Sequence, residues 1–432
     1  MKPVVVIIAL VLLTLARAHA AESPPPLTMS DVVRLALANH PSALAAQHRM
    51  SAAQSRLESS SSFLNPEVSL TPFFGRPTVG GSDDQFVLSQ RFDLSGRQRH
   101  RVGVAGGRFA GAKAEVAMTQ RNVALNAKVA YIELQLAREI VVLNESLVAI
   151  AELFRDAAQK QFDVGNVPRV QIDRAEIELA RAEQELLRAQ SHARIKEAAL
   201  NVAMGREASA PIALADGLKF APAEVPAADT TQRALAQRSE VRAAEAELRV
   251  RRSQISIANA ERLPDLRIEG VRNKLRNSGE YALRVGFVFP LFDFGAVRHE
   301  TRAARADVRE QESLVLLVKN DVRLQVVAAL TEVQQARALV ERYERDIVPR
   351  TERLTQTIQK GFNAGASTQL DVLDAQRTLR SVQTEYRQAM AEYAKALAEL
   401  EWATESASQP KRNGRLEFND PITVTAEFSQ GH

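Results

Sequence analysis

Between residues 265 and 289 apolar and polar positions alternate. Leu266 and Ile268 sit among Asp265, Arg267 and Glu269, while Tyr281, Leu283, Val285, Phe287 and Phe289 are interleaved with Ala282, Arg284, Gly286 and Val288. A period of two gives one apolar, aromatic face and one polar or small face, which predicts strands of about 9 to 11 residues. The same alternation runs through Phe86, Leu88, Gln90, Phe92 and Leu94 against Gln85, Val87, Ser89, Arg91 and Asp93. Such strands suit a membrane barrel with lipid outside and water inside, and the clustering of aromatics in both stretches suits interfacial girdles. A soluble hairpin with one face on a core is the competing reading, although two hairpins alone make a poor core.

Elsewhere the period is helical. A helix is predicted from Asp31 to Ser59, capped by Thr28 or Ser30. Two further stretches, 97–161 and 296–361, each predict a helix of roughly 65 residues, about 100 Å long at 1.5 Å per residue. Pro349 should kink the second. Gly-containing turns at 165–168 and 363–367 end the long helices, and a shorter helix returns antiparallel from each. Pro168 suits the first position of one returning helix, and Ser367 or Thr368 can cap the other. The returning helices carry heptads: Val372, Ala375, Leu379, Val382, Tyr386, Ala389, Tyr393, Ala396 and Leu400, and earlier Ile172, Ala175, Leu179, Ala182, Leu186, Ala189 and Ala193. This period packs helices side by side, and the frequent Ala permits close approach.

The chain is thus one unit written twice at an offset of about 200 residues. Phe162-Asp163-Val164-Gly165 recurs as Phe362-Asn363-Ala364-Gly365, and Arg91-Phe92-Asp93 as Leu291-Phe292-Asp293. The expected organisation is a signal peptide over 1–20, a first repeat over 21–204 with its strand pair at 63–94, and a Pro- and Ala-rich linker over 205–230. A second repeat over 231–403, with its strand pair at 264–292, and a tail over 404–432 complete it. Four strands cannot close a barrel, since the smallest transmembrane barrels have about 8. Three chains would supply twelve.

The N-terminus reads as a secretory signal: Lys2, an apolar run from Val4 to Leu15, and Ala18-His19-Ala20 as the cleavage site. Losing Lys2 and Arg17 lowers the formal charge from +4 to +2, so the chain is nearly balanced. Arg and Glu alternate along the helices instead of clustering, which argues against nucleic acid. Cysteine is absent. That excludes disulfides, zinc–thiolate sites, a Cys nucleophile and a lipid anchor on Cys.

Little suggests catalysis or a cofactor. His40 and His48 lie two helical turns apart without acidic neighbours, and no phosphate loop, G-x-S-x-G or H-E-x-x-H occurs. Ser95-Gly96-Arg97-Gln98-Arg99-His100-Arg101 is the main basic run. It reads either as a solvated helix start or as a belt on lipid phosphates. Asp371 and Asp374 share one face at i and i+3 in the first turns after the 363–367 loop, where they at least stabilise a helix N-terminus.

The doubled order, the turn Phe-Asn-Ala-Gly-Ala-Ser-Thr-Gln-Leu-Asp-Val-Leu-Asp-Ala at 362–375, and Phe287-Val288-Phe289-Pro290-Leu291-Phe292-Asp293-Phe294-Gly295 resemble the outer membrane efflux proteins of the TolC-like family. The resemblance covers residues 28 to 403. Leu64-Asn65-Pro66-Glu67 and Leu94-Ser95-Gly96-Arg97-Gln98-Arg99 look most like its CzcC-type heavy-metal cation branch, with Leu64 and Ser95 where that branch often has Pro and Gly. The resemblance implies a mainly α, α+β trimeric duct: a shared twelve-stranded barrel in the outer membrane lipid, continuing into a long periplasmic α-barrel. It also implies a periplasmic adaptor (membrane fusion protein) and an inner membrane RND-type pump as partners, with heavy-metal cations as cargo. Gly165, Asn166, Pro168, Gly365, Ser367 and Thr368 would form hairpin tips touching the adaptor. Asp371 and Asp374 would line an acidic constriction at the channel entrance, where the first repeat has Gln171 and Arg174. A duct for drugs or secreted polypeptides, and a periplasmic coiled-coil adaptor or structural protein, are the alternatives.

Overall fold

The computed structural model describes residues 25–72, 84–223, 229–275, 278–288, 294–364 and 366–404. The expected signal peptide, most of the expected tail, residues 224–228 of the expected linker, Gly365 and the 289–293 part of the family motif lie outside the described residues. The first repeat runs α1 (Met29–Asn39), α2 (Pro41–Ser61), β1 (Glu67–Pro72), β2 (Asp84–Phe92), α3 (Arg97–Asp163) and α4 (Val170–Ala203). The second runs α5 (Thr230–Gln237), α6 (Ser239–Ala260), β3 (Asp265–Leu275), β4 (Ser278–Val288), α7 (Ala296–Arg342), a π turn (Tyr343–Ile347), α8 (Val348–Asn363) and α9 (Gln369–Thr404). Each element has its counterpart in the other copy.

One expectation is corrected at the start. The helix read as continuous from Asp31 to Ser59 is two helices, broken at His40. Pro41 has no N–H to give and pushes the preceding residue out of helical geometry, so His40 sits at φ −66°, ψ 128°. Its Nδ1 accepts from the Ser42 amide at 3.3 Å, which makes His40 a helix cap instead of a partner for His48.

Gly96 and Gly295 end the strand pairs with φ of +74° and +89°, a conformation that suits glycine, and α3 and α7 start directly after them. Helix α3 spans 67 residues, about 100 Å, without a break. Its counterpart is interrupted: the ladder widens into the π turn just before Pro349, whose missing N–H cannot serve a regular helix.

The four strands form one antiparallel sheet in the order β1-β2-β3-β4. Leu266 pairs with both Phe92 and Phe287, Ile268 with Gln90 and Val285, and Gly270 with Leu88 and Leu283, so these side chains share a face. That face is exposed: Leu283 retains 75% of its surface and Leu70 70%. The outer edges of β1 and β4 have no partner strand among the described residues.

Two equivalent cores hold the helices. Val32 and Ala36 of α1 pack with Val123, Ala127, Tyr131 and Leu134 of α3 and Leu200 of α4. Ala234 of α5 packs with Val322, Val326, Val333 and Val340 of α7 and Ala389, Tyr393, Ala396 and Leu400 of α9. The segment after α4 lies against both: Ile212 is buried in the first core, Leu27 bridges to Leu214, and Tyr393 Oη accepts from the Ala223 amide at 2.9 Å. Between α3 and α6 the backbones approach closely, since a Cβ on Gly107 would lie 2.6 Å from Val250 Cγ2.

Candidate functional site

The two hairpin tips lie at the ends of α3 and α8. In the first, the Gly165 amide donates to the Phe162 carbonyl at 2.8 Å and that of Asn166 to Gln161 at 2.9 Å, with Gly165 at φ +78°. Helix α4 begins at Val170, two residues later than Pro168, whose carbonyl accepts from the Gln171 amide at 3.0 Å. In the second tip the amides of Ala366 and Ser367 both reach the Gly361 carbonyl, at 2.8 and 3.2 Å. Ser367 packs against Gly361, and Thr368 is the cap.

Thr368 and Asp371 form a reciprocal capping box. Thr368 Oγ1 accepts from the Asp371 amide at 3.2 Å, and the Asp371 carboxylate accepts from the Thr368 amide and hydroxyl at 2.7 Å each. These bonds, the amide's first, hold the Asp371 carboxyl below the usual carboxylate range. Thr28 and Asp31 build the same box at the start of α1.

Val372 and Ala375 are buried against α8, where Thr355 Oγ1 reaches the Ala375 carbonyl at 3.4 Å. Asp371 and Asp374 are therefore left on the exposed side. Their situations differ: Asp371 is tied to the cap, whereas the Asp374 carboxylate has no partner among the described residues, and only its carbonyl is used, by Thr378 Oγ1 at 2.9 Å.

A polar seam joins the two hairpins, and sequence reading missed it. From α9, Arg377 pairs with Glu178 of α4, Arg380 donates to Asn144 Oδ1 of α3 at 2.8 Å and lies 3.8 Å from Glu185 of α4, and Arg387 donates to Glu139 of α3 at 3.1 Å. Farther up, Lys395 lies 3.5 Å from Glu133 of α3, which also holds Lys196 of α4 at 2.8 Å. Burial alone would raise the Glu133 carboxyl, but the two lysines, Lys196 foremost, bring it below its ordinary value. The available signal was a run of bases along α9, lacking only the identity of the facing helix.

At the strand–helix junction the basic run is partly used up internally. Asp265 at the foot of β3 pairs with Arg97 of α3, and with Arg91 of β2 at 3.2 Å. Near the last turn of α9, Arg238 is buried, donating to the Ala403 carbonyl at 2.9 Å, to Gln325 Oε1 at 2.7 Å and to both Glu240 oxygens. Its guanidinium lies 4.7 Å from the Trp402 ring centroid, with that of Arg121 at 5.1 Å. Among the described residues, no three acidic or histidine side chains come together as a metal site, and no helix is long and apolar enough to cross a membrane.

A doubled hairpin of such length, joined to an exposed apolar sheet, is the framework on which comparison with known proteins bears. The family model described as outer membrane efflux protein matches the chain twice, over 32–206 and 230–404. The chain belongs to the outer membrane efflux protein family. The two matches coincide with the two structural copies. This efflux protein is 24% identical to the cobalt-zinc-cadmium resistance protein CzcC of Cupriavidus metallidurans, over 84% of this chain and 87% of that protein. It is 30% identical to the nickel and cobalt resistance protein CnrC of the same organism, over 76% of this chain and 78% of that protein. Its fold matches the outer membrane channel CmeC of Campylobacter jejuni with a TM-score of 0.77 at 16% identity, covering 87% of this chain and 85% of that one. The resemblance carried by 362–375 and 287–295 is thereby confirmed, down to its heavy-metal branch. The efflux protein is an outer membrane channel protein, not an enzyme, and its helical part lies in the periplasm.

Proposed function

We propose that this efflux protein is the passive outer membrane duct of a tripartite exporter, fed by a periplasmic adaptor and an inner membrane RND-type pump, and that its cargo is heavy-metal cations. The observation that carries the cargo is the match, over most of the chain, to proteins named for cobalt, zinc, cadmium and nickel resistance. The geometry of the second hairpin tip supports it. Two carboxylates stand exposed there, and a narrow acidic entrance attracts cations by focusing their field.

The duct is a homotrimer. Edge strands β1 and β4 present unpaired backbone that neighbouring copies satisfy, giving a twelve-stranded barrel. Asp371 and Asp374 then form a ring of six carboxylates, supplied by the second repeat alone because Gln171 and Arg174 occupy the matching places in the first. The tips around Gly165, Asn166, Pro168, Gly365, Ser367 and Thr368 meet the adaptor.

Deleting the chain from its own host and measuring growth limits tests this reading. Tolerance to cobalt, nickel, zinc or cadmium should fall and return on complementation, with tolerance to organic drugs unchanged. A fall confined to drugs assigns the duct to the alternative cargo, and a wild-type profile for both removes the export role.

A further inference from the structure

The lipid-facing side of the sheet carries one charge among its described side chains. Arg272 of β3 pairs with Phe86 of β2 on one side and Tyr281 of β4 on the other, so the three form a row across the sheet. This row lies six positions beyond Leu266, which pairs with Phe92 and Phe287, so two aromatic rows are separated by about 20 Å along the strands. Strand β3 leaves the helices at Asp265 and β4 returns to them at Val288, with Leu275 and Ser278 paired at the far end, so the Arg272 row belongs to the end remote from the periplasm.

Arg272 is exposed, no carboxylate among the described residues pairs with it, and its guanidinium lies 5.5 Å from the Tyr281 ring centroid. A lone guanidinium on a lipid face is costly in the hydrocarbon and tolerated where it reaches the interface. There its fork of N–H donors matches a phosphate in two-point fashion, and the aromatic face beside it restricts its orientation.

We propose that Arg272 and Tyr281 form a binding site for the phosphate of a phosphorylated glycolipid in the outer leaflet. This rests on the outer membrane placement of the sheet but not on the nature of the cargo. The occupant is argued from charge. The described side chains of this face are otherwise uncharged and mostly apolar, which suits acyl chains, and the guanidinium, paired with no described carboxylate, matches an anion at headgroup level.

Native mass spectrometry of the purified protein in neutral detergent, given equal amounts of bisphosphorylated lipid A and its enzymatically dephosphorylated form, tests the site. The wild type should retain the phosphorylated lipid about tenfold better, the scale of one charge-assisted contact. Arg272→Gln should abolish the preference, and Arg272→Lys, which keeps the charge, should retain part of it with the same oligomeric state. Equal retention of the two lipids by the wild type, or a preference that survives in Arg272→Gln, overturns the site. Displacement of lipid A by inorganic phosphate at equal concentration overturns the lipid as its occupant. Metal tolerance is a separate readout, so failure here leaves the export reading untouched.

Discussion

Arg387 of α9 donates through Nε to the Glu139 carboxylate of α3 at 3.1 Å, although 248 positions separate them. The contact belongs to a line of bases on the second hairpin facing acids and an amide on the first, and this line ties the two together toward their tips.

Replacing Arg377, Arg380 and Arg387 together by Gln should loosen that attachment without unfolding the chain. Each half-exposed pair contributes at most about 1 kcal/mol. Amide exchange in α9 between 377 and 387 should therefore rise by a few-fold up to about a hundredfold, while the valine-lined part of α7 stays protected. Unchanged exchange throughout α9 would show that the seam contributes nothing to cohesion.

The two aspartates of the second tip should separate in their effects. Asp374→Asn removes a charge that no described group pairs and that lies beyond the first turn of α9, where the helix dipole no longer favours it, so it should weaken cation selectivity and block by multivalent cations in planar-bilayer recordings and leave thermal stability unchanged. Asp371→Asn also removes the capping carboxylate and should lower the melting temperature as well. Identical electrical and thermal behaviour in the two variants would contradict the division.

Acid should act on α1 through Asp31. The Thr28 hydroxyl first, and Arg34 second, hold its carboxyl down to about 2 from 3.8. Because the folded-state value is the lower one, the stabilisation is complete above the ordinary value and is lost as pH falls through about 2. The difference in melting temperature between wild type and Asp31→Asn should be constant above pH 4 and shrink below it. A difference that grows toward low pH would reverse the sign.

Arg238→Leu should be the most damaging single change among these. It strands the Ala403 carbonyl and leaves Glu240 short of one of its two cations, and breaking a buried pair costs about 3 to 5 kcal/mol. Trp402 is the only tryptophan in the chain and lies beside this guanidinium, so its emission reports the same event. A large drop in melting temperature should accompany a red shift. Unaltered emission and stability would reduce Arg238 to a bystander.

What the sequence disclosed and what it withheld divide along a physical line. Alternation at Tyr281–Phe287 and the heptad from Val372 to Leu400 fix which side of an element is apolar, so strands, long helices and their repetition were legible. Periodicity names a face but not its partner. The Arg387–Glu139 pair and the contact of Arg238 with Ala403 join residues far apart in the chain, and their side chains are ordinary until the helices are laid together. The break at His40 was legible in principle from Pro41. Pro349 announced a kink, but not that the ladder would absorb it as a π turn. At the tip, Thr368 could be named as a cap, whereas the commitment of Asp371 and the freedom of Asp374 required coordinates.

The π turn at Tyr343–Ile347 also marks a change in what cements the second hairpin. Above it the buried line of α7 is Val322, Val326, Val333 and Val340; below it the buried positions of α8 are Thr351 and Thr355. Ionic strength has little grip on packed valines, but exposed charges are screened within about 8 Å at physiological salt. The valine packing inside the second hairpin should therefore answer little to salt, whereas the exposed pairs Arg377–Glu178 and Arg380–Glu185 toward the tip should weaken as salt rises. The attachment of the two hairpins to each other near their tips is thus the part of the helical region whose strength should depend on the ionic strength around it.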